Sequence, residues 1–389
     1  MSRSSTCIAL VALLLAGCAR GGTPVSNPPS RLPDVSAAPT ITPTFAPTAA
    51  PMAVPGGRIL ARREGPDGVE HFFTVNTDGT DERALYDREG CGCARWSHDG
   101  KLVYTLDATG HGTWSFATIR PDGTGLRVLP NAIPTLNLAP GASSSDGNIV
   151  AFWGWDETGA NPNGLYLATS VLGNVHLVTP VPEGATAVEP FGITPDGSKI
   201  IFFAETGRVE QITHAGDLYI VDADGSHLRK LNPDNTSVAF VGATPSPGNL
   251  SADGRRVAFA AFETASGGRN GAVYVADVAG AEPRRVTEPR AGVYTVIWSP
   301  TGEWIAYTTL DTSGTSVSLV RPDGSEGQQI SPASEDIGYP SWSPDGTCMV
   351  VRRGRSDAND LWVMDLEGRF LSRITDEPSD YAWFTWSPA

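Results

Sequence analysis

A short phrase with a tight turn at its centre recurs along this chain, and it constrains the fold more than any other feature. Its copies read Trp96-Ser97-His98-Asp99-Gly100, Thr194-Pro195-Asp196-Gly197, Ser251-Ala252-Asp253-Gly254, Trp298-Ser299-Pro300-Thr301-Gly302 and Trp342-Ser343-Pro344-Asp345-Gly346, with Trp386-Ser387-Pro388-Ala389 at the end of the chain. A period of roughly 45 to 55 residues around a turn is typical of radially repeated β-sheets. The 43 glycines and 31 prolines also favour a turn-rich, all-β body.

A second phrase lies between copies of the first and appears seven times. It is an alternating strand, a turn and another strand, running from 72 to 85, 116 to 129, 165 to 178, 218 to 231, 273 to 286, 316 to 330 and 361 to 374. Turns such as Asp78-Gly79 and Asp323-Gly324 separate its strands, and since Asp-Gly is the ordinary type I′ pair, they predict β-hairpins with that turn. A further strand follows each first phrase, as in Trp304 to Tyr307. The full unit is therefore four antiparallel strands, as in a propeller blade.

These residues resemble the TolB-type, WD-repeat-like β-propeller repeat, in which Trp-Ser-Pro-Asp-Gly precedes an Ile-Ala-Phe strand and a Leu-Tyr-Val strand. The copy at Trp342 to Gly346, with its hairpin at Leu361 to Thr375, matches closely. The resemblance covers about residues 57 to 389. Two copies depart from the pattern: the third repeat has only Ser144-Ser145-Asp146-Gly147, and Thr301 replaces the turn aspartate in the sixth.

The predicted fold is an all-β, seven-bladed β-propeller of four-stranded antiparallel blades. The first blade, starting at Arg58, has no preceding phrase, whereas the chain ends shortly after Trp383-Phe384-Thr385-Trp386. We therefore expect the C-terminal strand to pair into the first blade and close the ring, which removes exposed sheet edges. The best-known TolB-type propellers have six blades, so seven is a count from this sequence, favoured over six or eight.

The N-terminus predicts export and lipid attachment. A short apolar run at Ile8 to Leu15 follows Arg3, and Leu15-Ala16-Gly17-Cys18 resembles the bacterial lipobox. We expect residues 1–17 to be a lipoprotein signal peptide, with Cys18 lipidated. An ordinary cleaved signal with an incidental cysteine is the alternative. Residues 18–56 carry almost no charge and are rich in Pro, Thr and Ala, which predicts a disordered tether before the propeller at 57–389.

Charge and cysteine content exclude several classes of partner and site. Removing the signal with Arg3 leaves a net charge of −16, which argues against nucleic acid or an anionic membrane surface as partner. We expect a monomer that touches the membrane through its lipid anchor only. Cys91, Cys93 and Cys348 are an odd number, so no disulfide framework is expected, and Cys348 is predicted to be buried in a strand. The Asp-Gly turns lack the further ligands of a calcium loop, so neither a metal nor a cofactor is predicted.

Binding residues are expected on one face of the propeller. In a four-stranded meander, the turns after the first and third strands lie at one end and the more variable loops at the other, where binding residues usually lie. The candidates on the variable face are aromatic and acidic: Trp114, Trp155, Asp156, Glu335, Asp336, Tyr339, Asp380 and Tyr381. Trp383 is expected nearby, although for Trp153 and Trp383 packing between blades is the favoured alternative. The loops 204–217 and 262–271 are further places where specificity could reside.

The predicted function is a non-enzymatic, lipid-anchored scaffold in the periplasm or at the cell surface. It would bind an envelope protein, peptide or glycan through the variable-loop face. Gly-x-Ser-x-Gly, His-Glu-x-x-His and phosphate-binding sequences are absent, and the ending of the chain leads us to expect no hydrolase domain. The alternative is a lyase-like, polysaccharide-active enzyme with a metal-assisted site at the channel mouth, for which His111, His214, Asp336 and Asp380 are the candidates. A purely structural envelope protein is the third possibility.

Overall fold

The protein is built almost entirely of antiparallel β-strands. The computed structural model describes residues 53–65, 68–89, 94–106, 116–209, 212–239, 249–266, 270–280, 282–355, 358–376 and 379–388. The predicted signal peptide, Cys18, most of the predicted tether, Cys91, Cys93, His111 and Trp114 lie outside these residues. The described helical elements are short 3-10 turns such as Ala333–Glu335, and in this part of the chain no helix has the length and apolarity needed to span a bilayer.

The strands follow the predicted alternation of short strands and turns. In the first half of the chain they are β1 (Arg58–Glu64), β2 (Val69–Asn76), β3 (Arg83–Glu89), β4 (Ala94–Trp96), β5 (Val103–Leu106), β6 (Phe116–Ile119), β7 (Arg127–Val128), β8 (Asn137–Ser143), β9 (Ile149–Trp155), β10 (Gly164–Thr169), β11 (His176–Pro180), β12 (Ala187–Ile193), β13 (Lys199–Val209), β14 (Ile212–Asp222) and β15 (Arg229–Lys230). In the second half they are β16 (Thr236–Ala239), β17 (Arg256–Glu263), β18 (Asn270–Asp277), β19 (Arg284–Arg285), β20 (Arg290–Ala291), β21 (Val293–Trp298), β22 (Ile305–Asp311), β23 (Gly314–Val320), β24 (Gln328–Gln329), β25 (Ile337–Trp342), β26 (Cys348–Arg355), β27 (Ala358–Asp365), β28 (Phe370–Arg373) and β29 (Asp380–Trp386).

The described strands pair into five four-stranded sheets and one nine-stranded sheet. The four-stranded sheets have the orders β29-β1-β2-β3, β4-β5-β6-β7, β8-β9-β10-β11, β21-β22-β23-β24 and β25-β26-β27-β28. Separate four-stranded blades were expected throughout. Instead, β14 and β16 pair through Ala215 opposite Ala239 and Gly216 opposite Val238, which joins two consecutive repeats in one sheet. The long hairpin of β13 and β14 extends far enough to reach β16.

The first sheet combines the two ends of the described chain. Strand β29 pairs antiparallel with β1, placing Ile59 opposite Trp386 and Ala61 opposite Phe384. Backbone hydrogen bonding continues past the strand, because Ser387 N donates to Arg58 O at 2.8 Å. The C-terminal strand therefore supplies the strand that the first repeat lacks in its own sequence.

The Asp-Gly hairpins form, but their turn type differs from the type I′ pair that we expected. Type I′ requires positive φ at both central residues. Gly79 has φ of 82° and Gly324 of 83°, whereas neither preceding aspartate has a positive φ. Gly79 N donates to Asn76 O, so a right-handed turn ends in a left-handed glycine. The aspartate side chain then accepts from the backbone two residues on, as Asp78 does from Thr80 N at 2.9 Å.

Hydrophobic clusters lie between successive repeats. Leu60 and Phe72 of the first repeat pack with Val103 and Ile119 of the second. On its other side, the sheet of the first repeat packs against the seventh, through a cluster that contains Tyr381. Such clusters form because each sheet exposes apolar side chains on both of its faces and buries them against its two neighbours.

Candidate functional site

Five of the recurring phrases fold into the same hydrogen-bonded turn. Ser343 Oγ donates to Asp345 Oδ1 at 2.7 Å and accepts from Cys348 N at 3.1 Å, while Asp345 Oδ1 accepts from Thr347 N at 3.0 Å. Equivalent serine-to-aspartate or threonine-to-aspartate bonds join Ser97 to Asp99, Ser144 to Asp146, Thr194 to Asp196 and Ser251 to Asp253. These bonds hold the pKa of Asp146, Asp196, Asp253 and Asp345 below its usual value, and at Asp99 the bond with Lys101 lowers the pKa more than the bond with Ser97 does. The phrase therefore encodes one self-bonded turn, and its carboxylates are engaged within it.

The turn glycine and the sixth copy show what the phrase needs. Gly346 has φ of 71° and Gly302 of 75°, a left-handed backbone that glycine adopts without a Cβ penalty. In the sixth copy the missing aspartate is replaced by a hydroxyl contact, because Ser299 Oγ lies 3.1 Å from Thr301 Oγ1. The turn therefore forms in this copy too, with the Thr301 hydroxyl in place of an aspartate carboxylate.

The phrases surround a cavity of about 490 Å³. Every repeat contributes a residue from its phrase or from the strand before it. The lining residues include Trp96, His98, Ser143, Phe191, Pro195, Leu250, Ala252, Trp298, Pro300, Trp342, Pro344, Trp383, Trp386 and Pro388. The volume falls in the range of ligand pockets, about 300–1,000 Å³, and the wall is rich in aromatic and proline side chains. A concave apolar site thus opens on the face that carries the phrases.

The tryptophans of the wall are held by neighbouring repeats. Trp96 Nε1 donates to Thr385 O at 3.4 Å, and the guanidinium of Arg256 lies 5.0 Å from the ring centre of Trp298. Trp298 and Trp342 are buried. Because each indole is packed against an adjacent repeat, the aromatic wall is preorganised before any ligand arrives.

Two charged residues lie on the short strands next to the cavity. Arg95 of β4 lines the cavity, and Glu189 belongs to β12, which also supplies Phe191 to the wall. Burial raises the pKa of the Glu189 carboxyl to about 7, against the opposing effect of Arg95. Sequence reasoning missed both residues. A charged residue between apolar ones in a short inner strand, as in Val188-Glu189-Pro190, was the available indication.

Trp155 is the last residue of β9, and Asp156 follows it. The ring centres of Trp153 and Trp155 are 5.2 Å apart. Asp156 is buried, and its carboxylate accepts bonds from Thr158 Oγ1 at 2.6 Å, Asn161 Nδ2 at 2.7 Å and Thr135 Oγ1 at 2.9 Å. These bonds lower the pKa of Asp156. Its carboxylate organises the loop, which leaves Trp155 as the more accessible of the two.

Glu335, Asp336 and Tyr339 share one segment at the start of β25. Glu335 forms an ion pair with Arg353 at 3.0 Å, and Asp336 Oδ1 accepts from Thr315 N at 3.0 Å. Tyr339 has φ of 54° at an irregularity of the strand, and the guanidinium of Arg352 lies 4.5 Å from its ring centre. The segment therefore presents an arginine-stacked tyrosine, with both carboxylates bound to protein groups.

Tyr381 is a core residue, contrary to the expectation of an exposed aromatic at the channel entrance. It is 2% exposed, and its ring centre lies 6.2 Å from that of Phe73. Burial raises the pKa of its hydroxyl. Tyr339 packs against the same cluster, so the structure does bring these two candidates together. Asp380 begins the strand opposite Glu64, and Trp383 is buried between the first and second repeats, as the packing alternative predicted.

The remaining candidates concern metals and thiols. In the part of the chain that the structure describes, no group of three His, Cys, Asp or Glu side chains gathers at metal-binding distance. The side chain of His214, like the whole of His111, lies outside that part. Cys348 is fully buried at the start of β26, as predicted, and burial raises the pKa of its thiol to about 11.

Comparison with known proteins identifies the fold. Residues 247–389 match the family model of the TolB beta propeller domain. The structure is similar to TolB from Acinetobacter baumannii, with a TM-score of 0.50, 18% identity, and coverage of 86% of this chain and 67% of that one. It is also similar to an oligogalacturonate lyase from Vibrio parahaemolyticus, with a TM-score of 0.56, 12% identity, and coverage of 79% and 91%.

A third similar structure is a longer enzyme. Prolyl oligopeptidase B from Galerina marginata matches with a TM-score of 0.56 and 11% identity over 83% of this chain, which spans 51% of that protein. No curated protein sequence matches the chain. Identities this low carry information about the fold alone. The recurring turns, the antiparallel sheets, the match of residues 247–389 and the similar structures together show that the fold resembles that of the TolB β-propeller.

Proposed function

We propose that this protein is a lipid-anchored, non-enzymatic binding scaffold of the bacterial envelope, and that it engages a peptide segment of its partner in the cavity surrounded by the phrases. The aromatic and proline wall of that cavity is the observation that carries the proposal. Tryptophan and proline surfaces favour extended, proline-containing or aromatic segments. A glycan stacked on the same tryptophans is the other ligand chemistry to which the wall is suited.

We further propose that the repeats form a closed ring of seven blades. The pairing of β29 with β1 supports closure, because it joins the C-terminus to the first repeat. A cluster shared by Phe73 of the first repeat and Val350 of the seventh also supports it. In such a ring the nine-stranded sheet would count as two blades that share an extra pair of hydrogen-bonded strands.

The location of the scaffold is proposed from the N-terminal sequence. The lipobox-like Leu15-Ala16-Gly17-Cys18 and the export signal before it support attachment by acyl chains at Cys18. The acidic body would be held near the membrane by this anchor. Replacing Cys18 with alanine is expected to abolish lipid labelling and to release the protein into the soluble fraction. Retained labelling of the membrane-bound variant would refute the anchor.

Crosslinking and capture from intact envelopes tests the binding site. Ala252 is an exposed residue of the cavity wall, so Ala252→Trp should fill part of the cavity and abolish capture of the partner. Ala160→Trp is the matched control, because Ala160 is also exposed but lies in the loop between β9 and β10, at the other end of the strands. If only Ala160→Trp abolishes capture, the partner binds on the variable face and not in the cavity. Trp155 and Tyr339 are then the candidate contact residues. Absence of any reproducible partner would favour a purely structural role.

The lyase alternative makes a different prediction. It needs metal ligands that converge from several repeats, and Asp336 and Asp380 are the candidates whose side chains the structure describes. Calorimetric titration of the full chain with Mn²⁺ or Ca²⁺, repeated with Asp336→Asn, would reveal such a site. Stoichiometric binding that this substitution abolishes would favour the enzyme over the scaffold.

A further inference from the structure

The wall of the cavity carries one formal charge. Among the described residues that line it, Arg95 is the only lysine, arginine, aspartate or glutamate. The protein as a whole is acidic, with a net charge of −15. A cation on a wall of aromatic, aliphatic, proline and hydroxyl side chains favours a ligand with an anionic group, because a charge that leaves water needs a partner inside the protein.

Arg95 occupies a position that recurs in the repeats. The residue two places before the serine or threonine of the phrase lines the cavity in six repeats. Apart from Arg95, the residues at this position are uncharged: Ala142, Gly192, Ile297, Ser341 and Thr385. The second repeat therefore gives the cavity wall a polar side that the equivalent positions of the other five repeats do not provide.

Strand β4 holds Arg95 between the second and third repeats. Ala94 and Trp96 pack in the cluster between the first and second repeats. Side chains alternate along a strand, so Arg95 lies on the other face of its sheet, opposite Tyr104 of β5. There it also lines a small apolar cavity with Phe116. An arginine stem can cover such apolar surface while the guanidinium stays at the wider opening.

Glu189 is an internal acid that acts on Arg95. Burial raises the pKa of the Glu189 carboxyl to about 7, although the attraction of Arg95 opposes this rise. Near pH 7 the carboxyl is therefore only about half ionised. Glu189 thus compensates the charge of Arg95 in part, and the carboxylate of a ligand can complete the compensation.

We propose that Arg95 binds the free C-terminal carboxylate of a partner protein, whose last residues lie against the tryptophan and proline wall; this rests on the proposed function. A guanidinium pairs with a carboxylate through two parallel hydrogen bonds, and capture of a terminal carboxylate is a known mode of peptide recognition. The cavity of about 490 Å³ admits a few residues and not a folded element. A chain end enters such a space once, whereas an internal segment has to enter it and leave it again.

The wall and the arginine have different roles in this recognition. The aromatic and proline side chains provide contact area that any apolar tail could use. Arg95 distinguishes a chain end from an internal segment, because only a chain end brings a main-chain carboxylate. Blocking that carboxylate should therefore lower the affinity of a peptide at least tenfold, as expected when a hydrogen-bonded charge in a cavity loses its partner.

Pairs of short peptides test the role of Arg95. Peptides with varied final residues would be arrayed both as free acids and as C-terminal amides, probed with the detergent-extracted full chain, and the binding pairs measured by calorimetry. We expect the free acids to bind at least tenfold more tightly than their amides. In Arg95→Gln the acids should fall to the affinity of the amides, whose unchanged binding shows that the variant is folded. Arg95→Lys should keep part of the preference, because it retains the charge without the paired hydrogen bonds. His98→Gln is the matched control, since His98 is the other basic residue of the wall, and it should keep the full preference.

The possible results separate the role of Arg95 from the proposed function. Equal affinity of acids and amides for the native chain, or a preference for acids that persists in Arg95→Gln, would overturn the role of Arg95. Loss of both kinds of binding in Ala252→Trp would then show that the cavity still binds peptides, as the proposed function requires. Amides with Asp or Glu near their end that bind as tightly as free acids would assign Arg95 to a side-chain carboxylate, and Arg95-dependent binding of trigalacturonate alone would assign it to a glycan; either result refutes the chain end. Failure of every peptide to bind would refute the proposed function itself, and the role of Arg95 with it.

Discussion

The Ser343 hydroxyl bonds to Asp345 Oδ1 at 2.7 Å and at the same time accepts the backbone N–H of Cys348 at 3.1 Å. One small side chain thus joins the turn residue that follows it to the strand that leaves the turn. The same arrangement recurs in other phrases, for example at Ser97 with Asp99 and Leu102. The recurrence explains the phrase as a hydrogen-bonding unit that orients the strands around the cavity.

Removal of the Ser343 hydroxyl should lower the stability of the folded protein. Ser343→Ala leaves the buried N–H of Cys348 without its acceptor, so we expect a loss of about 1–3 kcal/mol in the free energy of unfolding. Thr347→Ala is the control, because the Thr347 hydroxyl also bonds to Asp345 but is exposed. Its cost should stay below about 0.5 kcal/mol. Urea denaturation of both variants measures the difference, and equal costs would contradict this explanation of the phrase.

Restoring the missing aspartate in the sixth phrase should stabilise the protein. Thr301→Asp would place a carboxylate where Ser299 Oγ and Glu303 N can donate to it, as occurs in the other copies. A gain of about 0.5–1 kcal/mol is expected, typical of consensus substitutions. Thr301→Asn supplies an acceptor of similar shape without the charge. A lower urea midpoint of unfolding for Thr301→Asp would contradict the inference that the turn aspartate stabilises the sixth phrase as it does the others.

The buried ion pair of Arg62 and Glu70 should contribute far more than the exposed pair beside it. Both members are buried in the sheet of the first repeat, and they contact each other directly. Glu70→Gln leaves a buried guanidinium without its counter-ion, so a loss of about 3–5 kcal/mol is expected. Glu82→Gln breaks the exposed pair with Arg63, at 3.0 Å, and should cost no more than about 1 kcal/mol. Thermal and chemical denaturation of the two variants check this ranking.

Glu189 should make stability fall as pH rises. Its carboxyl has a pKa of about 7 in the folded protein and near 4.5 when unfolded. Between these values the folded state holds a proton that the unfolded state has lost, so stability is highest near pH 4.5 and decreases towards pH 7. The decrease attributable to this group is at most about 3.5 kcal/mol, because its pKa lies at about 7 instead of 4.5 and each pKa unit corresponds to about 1.4 kcal/mol. Water in the cavity next to β12 would make this decrease in the free energy of unfolding smaller.

Glu189→Gln isolates that contribution. The difference in unfolding free energy between the native protein and Glu189→Gln should change between pH 5 and pH 7.5 and then level off. Urea titrations at several pH values measure it. A difference independent of pH would show that the carboxyl ionises normally.

The local structure of the repeat was predictable because it depends on short-range chemistry. Alternating strands, Asp-Gly turns and the phrase all form within a few residues, so their positions in the chain sufficed to predict an antiparallel all-β fold. The burial of Cys348 followed from its place in an apolar strand. The turn type was mistaken, since the conformation of Asp78 depends on the length of its hairpin as well as on the Asp-Gly pair.

The candidate site was less predictable because it depends on which repeats meet. Tyr381 and Asp156 are the residue types that bind ligands, yet one is packed in the core and the other bonds to its own loop. The phrases were predicted to lie away from the binding face, whereas in the structure they surround a cavity. Each phrase contributes only a few atoms to the cavity wall, so the sequence of a single copy does not predict the cavity.

The sequence by itself determined the repeat, the strand-turn pattern and the resemblance to TolB-like propellers, because these follow from residue type and local spacing. Only the tertiary structure decided that Trp386 of the last phrase meets Gly57 of the N-terminal segment, that β14 pairs with β16, and that burial shifts the pKa of Glu189. Contacts between distant segments depend on how the sheets pack against one another, and local preferences contain no information about which side chains that packing brings together.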